Sequence, residues 1–291
     1  MLNGRAMAIS HGAATIINAI ATGNGAAVGV DLWTKAIVSL TDEIGHIDVT
    51  ICSDSSENPA LAQKTVERIL KHFGLEQQFG AKIETTSNIP VARGLKSSSA
   101  AANAIALATT AALARSLDDV SVVNLGVDGA LDANVTITGA FDDACASYFG
   151  GIVITDNMQR RIIKRFELDE TPIVLFYVPP EKIYTVSLDL KRMKSMTSVV
   201  KIAYNQALNG NYWAALTLNG LIYSSALGYD SSPALDALKA GAIAAGLSGT
   251  GPAVSAIVPE EKIELVKEVW RTREGEILEA KINQQKAKVV C

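Results

Sequence analysis

One long apolar helix, entered through a polar turn, constrains the fold of this chain more than any other segment. Residues 90–114 read PVARGLKSSSAAANAIALATTAALA, which predicts a turn followed by a helix that begins near Ser97. The apolar tract from Ala100 to Ala114 is interrupted by Asn103 and two threonines, and it is too short to span a bilayer. The segment therefore predicts a helix of a soluble protein, and no membrane partner is expected.

Strand and helix patterns mix along the rest of the chain without the regular alternation of a Rossmann fold or a barrel. Short β-branched segments bounded by glycines, such as AAVGVDL and KAIVSL, predict strands. NPALAQKTVERILKHFG (58–74) predicts a helix that ends at Gly74, and residues 195–245 are mainly helical in pattern. We therefore predict an α+β protein of two lobes, the first over residues 1–160 and the second over residues 161–291.

The composition favours a folded cytoplasmic protein that does not bind nucleic acid. Hydrophobic residues make up 48% of the chain and charged residues 19%, as expected of a globular protein. The formal net charge of −4 gives no reason to expect nucleic acid as a partner. The three cysteines are widely spaced and form no metal-binding pattern, and the N-terminus does not read as a signal peptide, so a reducing, cytoplasmic setting is predicted.

The polar turn places a glycine, a lysine and three serines directly before the apolar helix, and two interpretations are open from these residues alone. The first turn of a helix leaves amide N–H groups unpaired and carries a partial positive charge, so a phosphate binds there favourably. Lys96 adds positive charge, and a serine hydroxyl can bind a Mg²⁺ ion that bridges phosphates. Alternatively, Ser97 or Ser98 caps the helix and the other small residues only pack. The turn does not match the Walker pattern G-x-x-x-x-G-K-[ST].

Two further segments contain residues suited to a phosphate site. GLSGTGPAVSAI (246–257) has glycines that let the backbone approach a ligand closely, although by itself a plain turn is the simpler interpretation. Asp142 and Asp143 lie on a predicted loop within GAFDDACASYFGG (139–151). Adjacent carboxylates on a loop are usually only solvated. In a phosphoryl-transfer site, however, a carboxylate holds magnesium or accepts the proton of the attacking hydroxyl.

Taken together, these segments resemble the GHMP kinases, whose central motif reads P-x-x-x-G-L-G-S-S-A-A. The residues in register with that motif are Pro90, Gly94, Leu95, Ser97, Ser98, Ala100 and Ala101. Lys96 stands where the motif has the glycine before its serines, and Ser99 replaces an alanine. The N-terminus lacks the family's usual Gly-Glu-His. Together with Lys96 and the segment VTITGAFDDACASYFGG, this makes the chain most similar to the archaeal-type shikimate kinases of the superfamily.

The resemblance implies the two-lobed GHMP kinase fold, with a first lobe like a ribosomal-protein domain and a ferredoxin-like second lobe. It implies an ATP-dependent kinase that uses Mg²⁺ and converts shikimate to shikimate 3-phosphate in aromatic amino-acid biosynthesis. On this basis Asp143 is expected to be the catalytic base, with Asp142 in reserve, and Ser98 and Asp132 are expected to bind the metal. The residues expected to bind ATP are Pro90, Val91, Ala92, Arg93, Gly94, Leu95, Lys96, Ser97, Ser98, Ser99, Ala100, Gly249, Thr250 and Gly251.

Other functions stay open at this point. A related kinase of homoserine or mevalonate, a non-catalytic ATP-binding sensor and an RNA-binding protein are the alternatives. The acidic balance argues against RNA, and the acidic pair argues against a sensor. A shikimate carboxylate requires a cationic partner, and the candidates for it are Arg93, Lys191, Arg192 and Lys194.

Overall fold

Two β-sheets of unequal size organise the chain. The structure is a computed structural model that describes residues 4–54, 57–169, 172–181 and 190–290. Seven strands form one sheet and four strands form the other, with helices interspersed between them, so the predicted α+β class is confirmed. Within the described ranges, no helix is long and apolar enough to cross a membrane.

The larger sheet is built around one long strand. Its strands, numbered in chain order, are β1 (Arg5–Ile17), β2 (Asn24–Thr41), β3 (Ile47–Ile51), β4 (Gly80–Ser87), β5 (Ile152–Asp156), β6 (Arg161–Phe166) and β11 (Lys288–Val290). The 18-residue β2 pairs with β1 along one edge. On its other edge β2 pairs with β5 near its start and with β4 near its end. All pairings are antiparallel except that of β3 with β4.

The smaller sheet is antiparallel throughout. Its strands are β7 (Ile173–Val178), β8 (Ala244–Leu247), β9 (Val254–Val258) and β10 (Glu276–Lys281), in the order β10-β7-β9-β8. Helices lie between β7 and β8 and again between β9 and β10. This β-α-β-β-α-β order is the ferredoxin-like arrangement, as predicted for the second lobe.

Nine α-helices occur in the described part of the chain. They are α1 (Ala60–His72), α2 (Ser97–Ala112), α3 (Asp119–Asp132), α4 (Phe141–Phe149), α5 (Leu190–Lys194), α6 (Thr197–Leu208), α7 (Tyr212–Leu227), α8 (Ser232–Lys239) and α9 (Ile263–Arg271). The helix predicted over 58–74 is α1, and the Oδ1 atom of Asn58 accepts a hydrogen bond from the backbone N–H of Ala60 at 2.9 Å. Local side-chain chemistry therefore sets the start of this helix.

The alanine-rich helix α2 lies in the core of the first lobe. Ten of its sixteen residues are buried, and it contacts β1 and β2 as well as α1, α3 and α4. The amide of Asn103, which interrupts the apolar tract, donates a hydrogen bond to the backbone oxygen of Ala144 in α4 at 2.9 Å. Packing on both sides therefore fixes the position of α2, and with it the polar turn that precedes it.

The two sheets divide the chain differently from the predicted boundary at residue 160. The strand β6 forms a hairpin with β5 across the short turn at residues 157–160, so it extends the larger sheet. After β10 the chain returns to the larger sheet, where β11 pairs with β1. The C-terminal segment predicted as one closing strand is therefore two strands in different sheets. By strand pairing, the first lobe also contains residues 161–166 and 288–290.

A common apolar core joins the two lobes. Ile16 of β1 and Val28 of β2 pack in one buried cluster with Phe176 of β7 and with Leu216 and Tyr223 of α7. Because close-packed interiors resist deformation, this cluster fixes one lobe against the other. The polar groups at the edge of the junction are therefore held in a defined arrangement.

Candidate active site

A cavity of about 130 Å³ lies at the junction of the lobes. Its wall is formed by the N-termini of α2 and α4, the end of β1, the residues before α4 and the glycine turn (residues 248–251) between β8 and β9. The three segments that the sequence analysis singled out therefore meet around one space. The plain-turn interpretation of residues 246–257 does not account for this placement.

The N-terminus of α2 opens into this cavity. Lys96 precedes the helix in a left-handed conformation (φ 66°, ψ 32°), and among the described residues no side chain caps the helix. The interpretation in which Ser97 or Ser98 is the cap is wrong, because Ser97, Ser98 and Ser99 form the first helical turn themselves. All three serines line the cavity, and the N–H groups of a first helical turn have no partner within the helix, which suits an anion.

Close backbone contact locks the polar turn against the glycine turn. Gly94 has a φ of +87°, and a Cβ atom there would lie 2.4 Å from the backbone oxygen of Ser248. The Ser248 hydroxyl donates a hydrogen bond to the Gly94 oxygen at 2.9 Å, and the Ala253 N–H donates to the Arg93 oxygen at 3.1 Å. A side chain at position 94 would separate the two turns, which explains the need for glycine there.

Asn18, which directly follows β1, holds the glycine turn in place through a side-chain hydrogen bond. Its side-chain amide donates to the backbone oxygen of Gly249 at 2.9 Å, and its own N–H donates to the Asn219 side chain at 3.0 Å. The hydroxyl of Tyr223 donates to the Asn18 oxygen at 3.1 Å. A buried polar network therefore connects the cavity wall to α7 of the second lobe.

Asp142 and Asp143 lie in the first turn of α4, not on a solvated loop as predicted. Both residues are buried, at 3% and 9% exposure. Ala140 precedes α4 in a left-handed conformation (φ 47°, ψ 49°), and this turn starts the helix early enough to include both carboxylates. Burial of two neighbouring carboxylates is costly unless each has a partner, so their partners decide what the pair can do.

Asp143 is paired with the lysine of the polar turn. The ammonium of Lys96 lies 3.0 Å from Oδ2 of Asp143, and both side chains are about nine-tenths buried. The second carboxylate oxygen, Oδ1, is buried and has no hydrogen-bond partner within the described ranges. Asp143 is thus held by one oxygen, and the other is a buried acceptor without a partner among the described residues.

Asp142 has a different environment. Its Oδ1 accepts a hydrogen bond from the side-chain amide of Asn157 at 2.8 Å, and its Oδ2 lies against Gly25, where a Cβ atom would come within 2.3 Å. Burial, followed by the neighbouring charge of Asp143, raises the pKa of Asp142 to about 7. The two carboxylates are therefore unequal in their partners, the Lys96 ammonium for Asp143 and the Asn157 amide for Asp142.

Asp132, the predicted partner of Ser98 in metal binding, does not reach the cavity. It ends α3 on the surface, where the Arg68 guanidinium holds it through Nε and Nη2, the latter at 2.6 Å from Oδ1. This hydrogen bond with Arg68 holds the pKa of Asp132 below its usual range. The expectation from the resemblance is wrong for Asp132, since its carboxylate is already used in an ion pair outside the site.

The other predicted ATP-binding residues have different positions. Ala92 lines the cavity together with Gly249, Thr250 and Gly251, whereas Leu95 and Ala100 are buried in the core beneath it. The Arg93 guanidinium turns toward the second lobe, where it donates to the backbone oxygens of Pro179 and Glu181. The polar turn therefore contributes Ala92, Gly94 and residues 96–99 to the cavity wall.

A second, larger cavity of about 320 Å³ adjoins the first. Its lining is mostly apolar and includes Val91, Leu61 and Ile105, and it shares Ser97 and Ser98 with the first cavity. The sequence analysis did not predict this space, because its lining comes from β2, β3, β4, α1, α2 and the residues after α3. Neither Asn18 nor Asn157 was predicted either, since a single asparagine forms no motif.

Lys96 is the sole cationic side chain among the described residues that line the first cavity. Four residues were candidates for the cationic partner of a substrate carboxylate. Arg93 already donates to two backbone oxygens of the second lobe, and Arg192 donates to the backbone oxygen of Ser225 at 3.3 Å. Lys191 and Lys194 are exposed on α5. The structure therefore selects none of these four as the carboxylate partner.

Comparison with known proteins agrees with this arrangement of fold and site. The model of the GHMP kinases N terminal domain matches residues 60–151, and that of the GHMP kinases C terminal domain matches residues 211–276. The matched regions contain α2, α4 and the glycine turn. The chain belongs to the GHMP kinase family.

Within this family the chain is similar to archaeal proteins named shikimate kinase. It is 43% identical to that of Methanothrix thermoacetophila, over 98% of this chain and 96% of the relative. The shikimate kinase of Methanosarcina acetivorans is 45% identical over 96% and 95% of the two chains, and that of Pyrococcus furiosus is 44% identical over 92% and 96%. The predicted resemblance is therefore confirmed over nearly the whole chain.

Solved structures of more distant proteins share the fold. Mevalonate kinase of Methanococcus jannaschii superposes with a TM-score of 0.77 at 16% identity, covering 95% of this chain and 98% of that one. Homoserine kinase of Cytophaga hutchinsonii superposes with a TM-score of 0.74 at 15% identity, covering 100% and 98%. At these identities the likeness concerns the fold alone.

Proposed function

We propose that this protein transfers the γ-phosphoryl group of ATP to a hydroxyl of shikimate, forming shikimate 3-phosphate. The observation that carries the proposal is the meeting of two unlike helix N-termini at one cavity. One has free amide groups and hydroxyls for phosphates, and the other carries a buried carboxylate for the acceptor hydroxyl. The relatives named shikimate kinase support the choice of acceptor.

The larger cavity suits the nucleoside of ATP. Its volume of about 320 Å³ and apolar lining are typical of a small-molecule pocket. Ser97 and Ser98 line both cavities, so a nucleotide with its base in the larger one would extend its phosphates past the start of α2. The γ-phosphate would then point into the smaller cavity, toward Asp143.

Asp143 is the group best placed to accept the proton of the acceptor hydroxyl. The hydroxyl oxygen forms a bond to the γ-phosphorus while the bond from phosphorus to the β–γ bridging oxygen breaks, and the proton passes to the carboxylate of Asp143. The Lys96 ammonium lies 3.0 Å from Oδ2 of the same carboxylate and holds it in place. Asp142 is less suited, because its Oδ1 already accepts a hydrogen bond from Asn157 and its Oδ2 lies against Gly25.

Mg²⁺ fits the α2 end of the site through Ser98. The described residues contain no group of three or more His, Cys, Asp or Glu side chains that could bind a metal on their own. Mg²⁺ in phosphoryl-transfer sites is usually held by substrate phosphates, water and one or two protein oxygens. The Ser98 hydroxyl, which lines both cavities, offers such an oxygen, and a bound ion would neutralise charge on the phosphates.

Parallel assays with three acceptors test this proposal. ADP release is measured with shikimate, homoserine and mevalonate at equal concentrations, with Mg²⁺ and ATP, and the phosphorylated product is identified by mass spectrometry. We expect turnover with shikimate and none above background with the other two. Turnover with homoserine or mevalonate, and none with shikimate, would show that the acceptor is wrong while the kinase assignment stands.

A further inference from the structure

Lys96 occupies a backbone position that favours glycine. Its φ of 66° and ψ of 32° lie in the left-handed region, which L-residues other than asparagine and aspartate seldom adopt. The family motif has a glycine at this position, so the backbone geometry itself does not require a side chain. A strained lysine kept at a functional cavity indicates that the side chain has a use there.

The side chain of Lys96 runs into the middle of the site. Its ammonium lies 3.0 Å from Oδ2 of Asp143, and a Cβ atom built on Gly249 would lie 2.5 Å from the same nitrogen. The ammonium therefore fills the space between the start of α4 and the glycine turn. It stands at the place where an acceptor hydroxyl, Asp143 and a terminal phosphate have to meet.

The charges in this cavity need a cation at that place. Asp142 and Asp143 are both buried, and a terminal phosphate would bring further negative charge beside them. An ammonium has three N–H donors, and the contact with Asp143 uses one of them in the described structure. An ammonium can therefore donate to a carboxylate and to a phosphoryl oxygen at the same time.

We propose that Lys96 is a catalytic residue whose ammonium bridges Asp143 and the phosphoryl group in transfer. This inference rests on the proposed function, because it requires a phosphoryl donor to bind in this cavity. A fixed cation at developing negative charge stabilises the transition state, because it needs no reorganisation when the reaction occurs. The same contact brings the general base and the electrophile together despite their like charges.

Three variants test the role of Lys96. Lys96→Gly restores the residue that the backbone favours, so a loss of activity in it cannot come from backbone strain. Lys96→Met keeps the length of the side chain without its charge, and Lys96→Arg keeps the charge. We expect kcat to fall about 100- to 1,000-fold in Lys96→Gly and Lys96→Met, and to fall less in Lys96→Arg. A fall of less than about threefold in both uncharged variants, each folded by circular dichroism, would overturn the proposal.

Nucleotide binding gives a second readout that does not depend on the acceptor. Calorimetry measures Kd for ADP and for the non-hydrolysable ATP analogue AMP-PNP, both with Mg²⁺. Lys96→Gly is expected to weaken AMP-PNP about tenfold or more and ADP little, because the ammonium meets the terminal phosphate. Equal weakening of both ligands, or of neither, contradicts the bridging role. A further outcome separates the two proposals. In it the wild-type protein does not phosphorylate shikimate but still binds AMP-PNP more tightly than ADP, and this difference is lost in Lys96→Gly. The role of Lys96 would then stand, and only the proposed acceptor would be wrong.

Discussion

The two helices whose N-termini line the first cavity begin with the same backbone conformation but carry chemically opposite side chains. Both α2 and α4 follow a non-glycine residue in the left-handed conformation, Lys96 and Ala140, and neither has a side-chain cap within the described ranges. The first turn of α2 then carries three hydroxyls and no acid, whereas that of α4 carries two buried carboxylates.

This difference shows that the same kind of helix N-terminus can hold carboxyl groups of the chain itself or stay open for an external anion. A helix N-terminus attracts negative charge through its free N–H groups and its dipole. At α4 the chain's own carboxyl groups, Asp142 and Asp143, occupy that place, while at α2 it stays open for a phosphate. Lys96 begins one helix and pairs with the acid of the other, so it links the two ends.

The largest expected effect comes from removing the base at α4. Asp143→Asn keeps the shape of the side chain but cannot accept a proton, so kcat should fall between about 100- and 10,000-fold. ATP should bind no more weakly, because a nearby negative charge has been removed. Rates of ADP release and calorimetric binding of AMP-PNP measure the two quantities.

Asp132→Asn is the matched control for that variant. It removes an acid that the resemblance also implied, but one that pairs with Arg68 outside the cavity. We expect its turnover to equal that of the wild-type protein. Equal losses in Asp132→Asn and Asp143→Asn would contradict the assignment of the base.

The second expected effect concerns the unequal acids of α4. The pKa of Asp142 is raised from 3.8 to about 7, so the folded protein binds this proton more tightly than the unfolded chain. The stability that this proton contributes is full below pH 4 and is lost as the pH rises through 7. Asp142→Asn mimics the protonated form at every pH. Relative to wild type, it should therefore gain about 3 kcal/mol of unfolding free energy between pH 5 and pH 8.

Urea unfolding at the two pH values measures this gain. Titrating groups remote from position 142 contribute equally to both proteins, so only the difference between variant and wild type is interpreted. An identical difference at pH 5 and pH 8 would show that Asp142 is ionised throughout this range in the folded protein.

The third expected effect concerns the hydroxyls of α2. Ser98→Ala should raise the KM for Mg²⁺-ATP about 10- to 100-fold, which corresponds to one hydrogen bond or contact to a charged group. Ser98→Thr, which keeps the hydroxyl, should retain most of the activity. If both variants were equally impaired, the space at the helix start rather than the hydroxyl of Ser98 would be the important feature.

The two helix starts also differ in how well the sequence predicts them. The start of α2 at Ser97 is predicted correctly because glycine, serine and alanine preferences are all local to residues 94–112. The start of α4 is missed because the residue before it is an alanine, which has no preference for a helix boundary. Its left-handed backbone depends on the surrounding fold, so Asp142 and Asp143 were expected on a loop.

Long-range contacts explain what else the sequence leaves undetermined. The resemblance implies the catalytic role of Asp143, but the partner of that carboxylate lies 47 residues earlier, at Lys96. Similarly, the carboxylate of Asp132 does not line the cavity but pairs with Arg68, which lies 64 residues earlier in the chain. The larger cavity combines side chains from five helices and strands and from the loops between them, and it has no motif of its own. Motifs therefore identified the segments that line the first cavity, and only the fold shows which side chains face each other.

The smallest expected effect concerns the two residues with a left-handed backbone conformation that precede α2 and α4. Ala140→Gly relieves the same backbone conformation as Lys96→Gly but removes no charged side chain. Relief of about 1–2 kcal/mol is partly offset by the greater freedom of glycine in the unfolded chain, so a net gain of about 0.5–1 kcal/mol is expected for Ala140→Gly. Lys96→Gly gains the same amount and loses its buried ion pair with Asp143, so its unfolding free energy should be lower than that of Ala140→Gly. Urea unfolding of both variants measures this difference, which combines the ion pair, the packing of the lysine stem and the cost of leaving the Asp143 carboxylate buried without its partner. If Lys96→Gly were as stable as Ala140→Gly, the pair would contribute nothing to stability, and the strained lysine would be kept for the reaction alone.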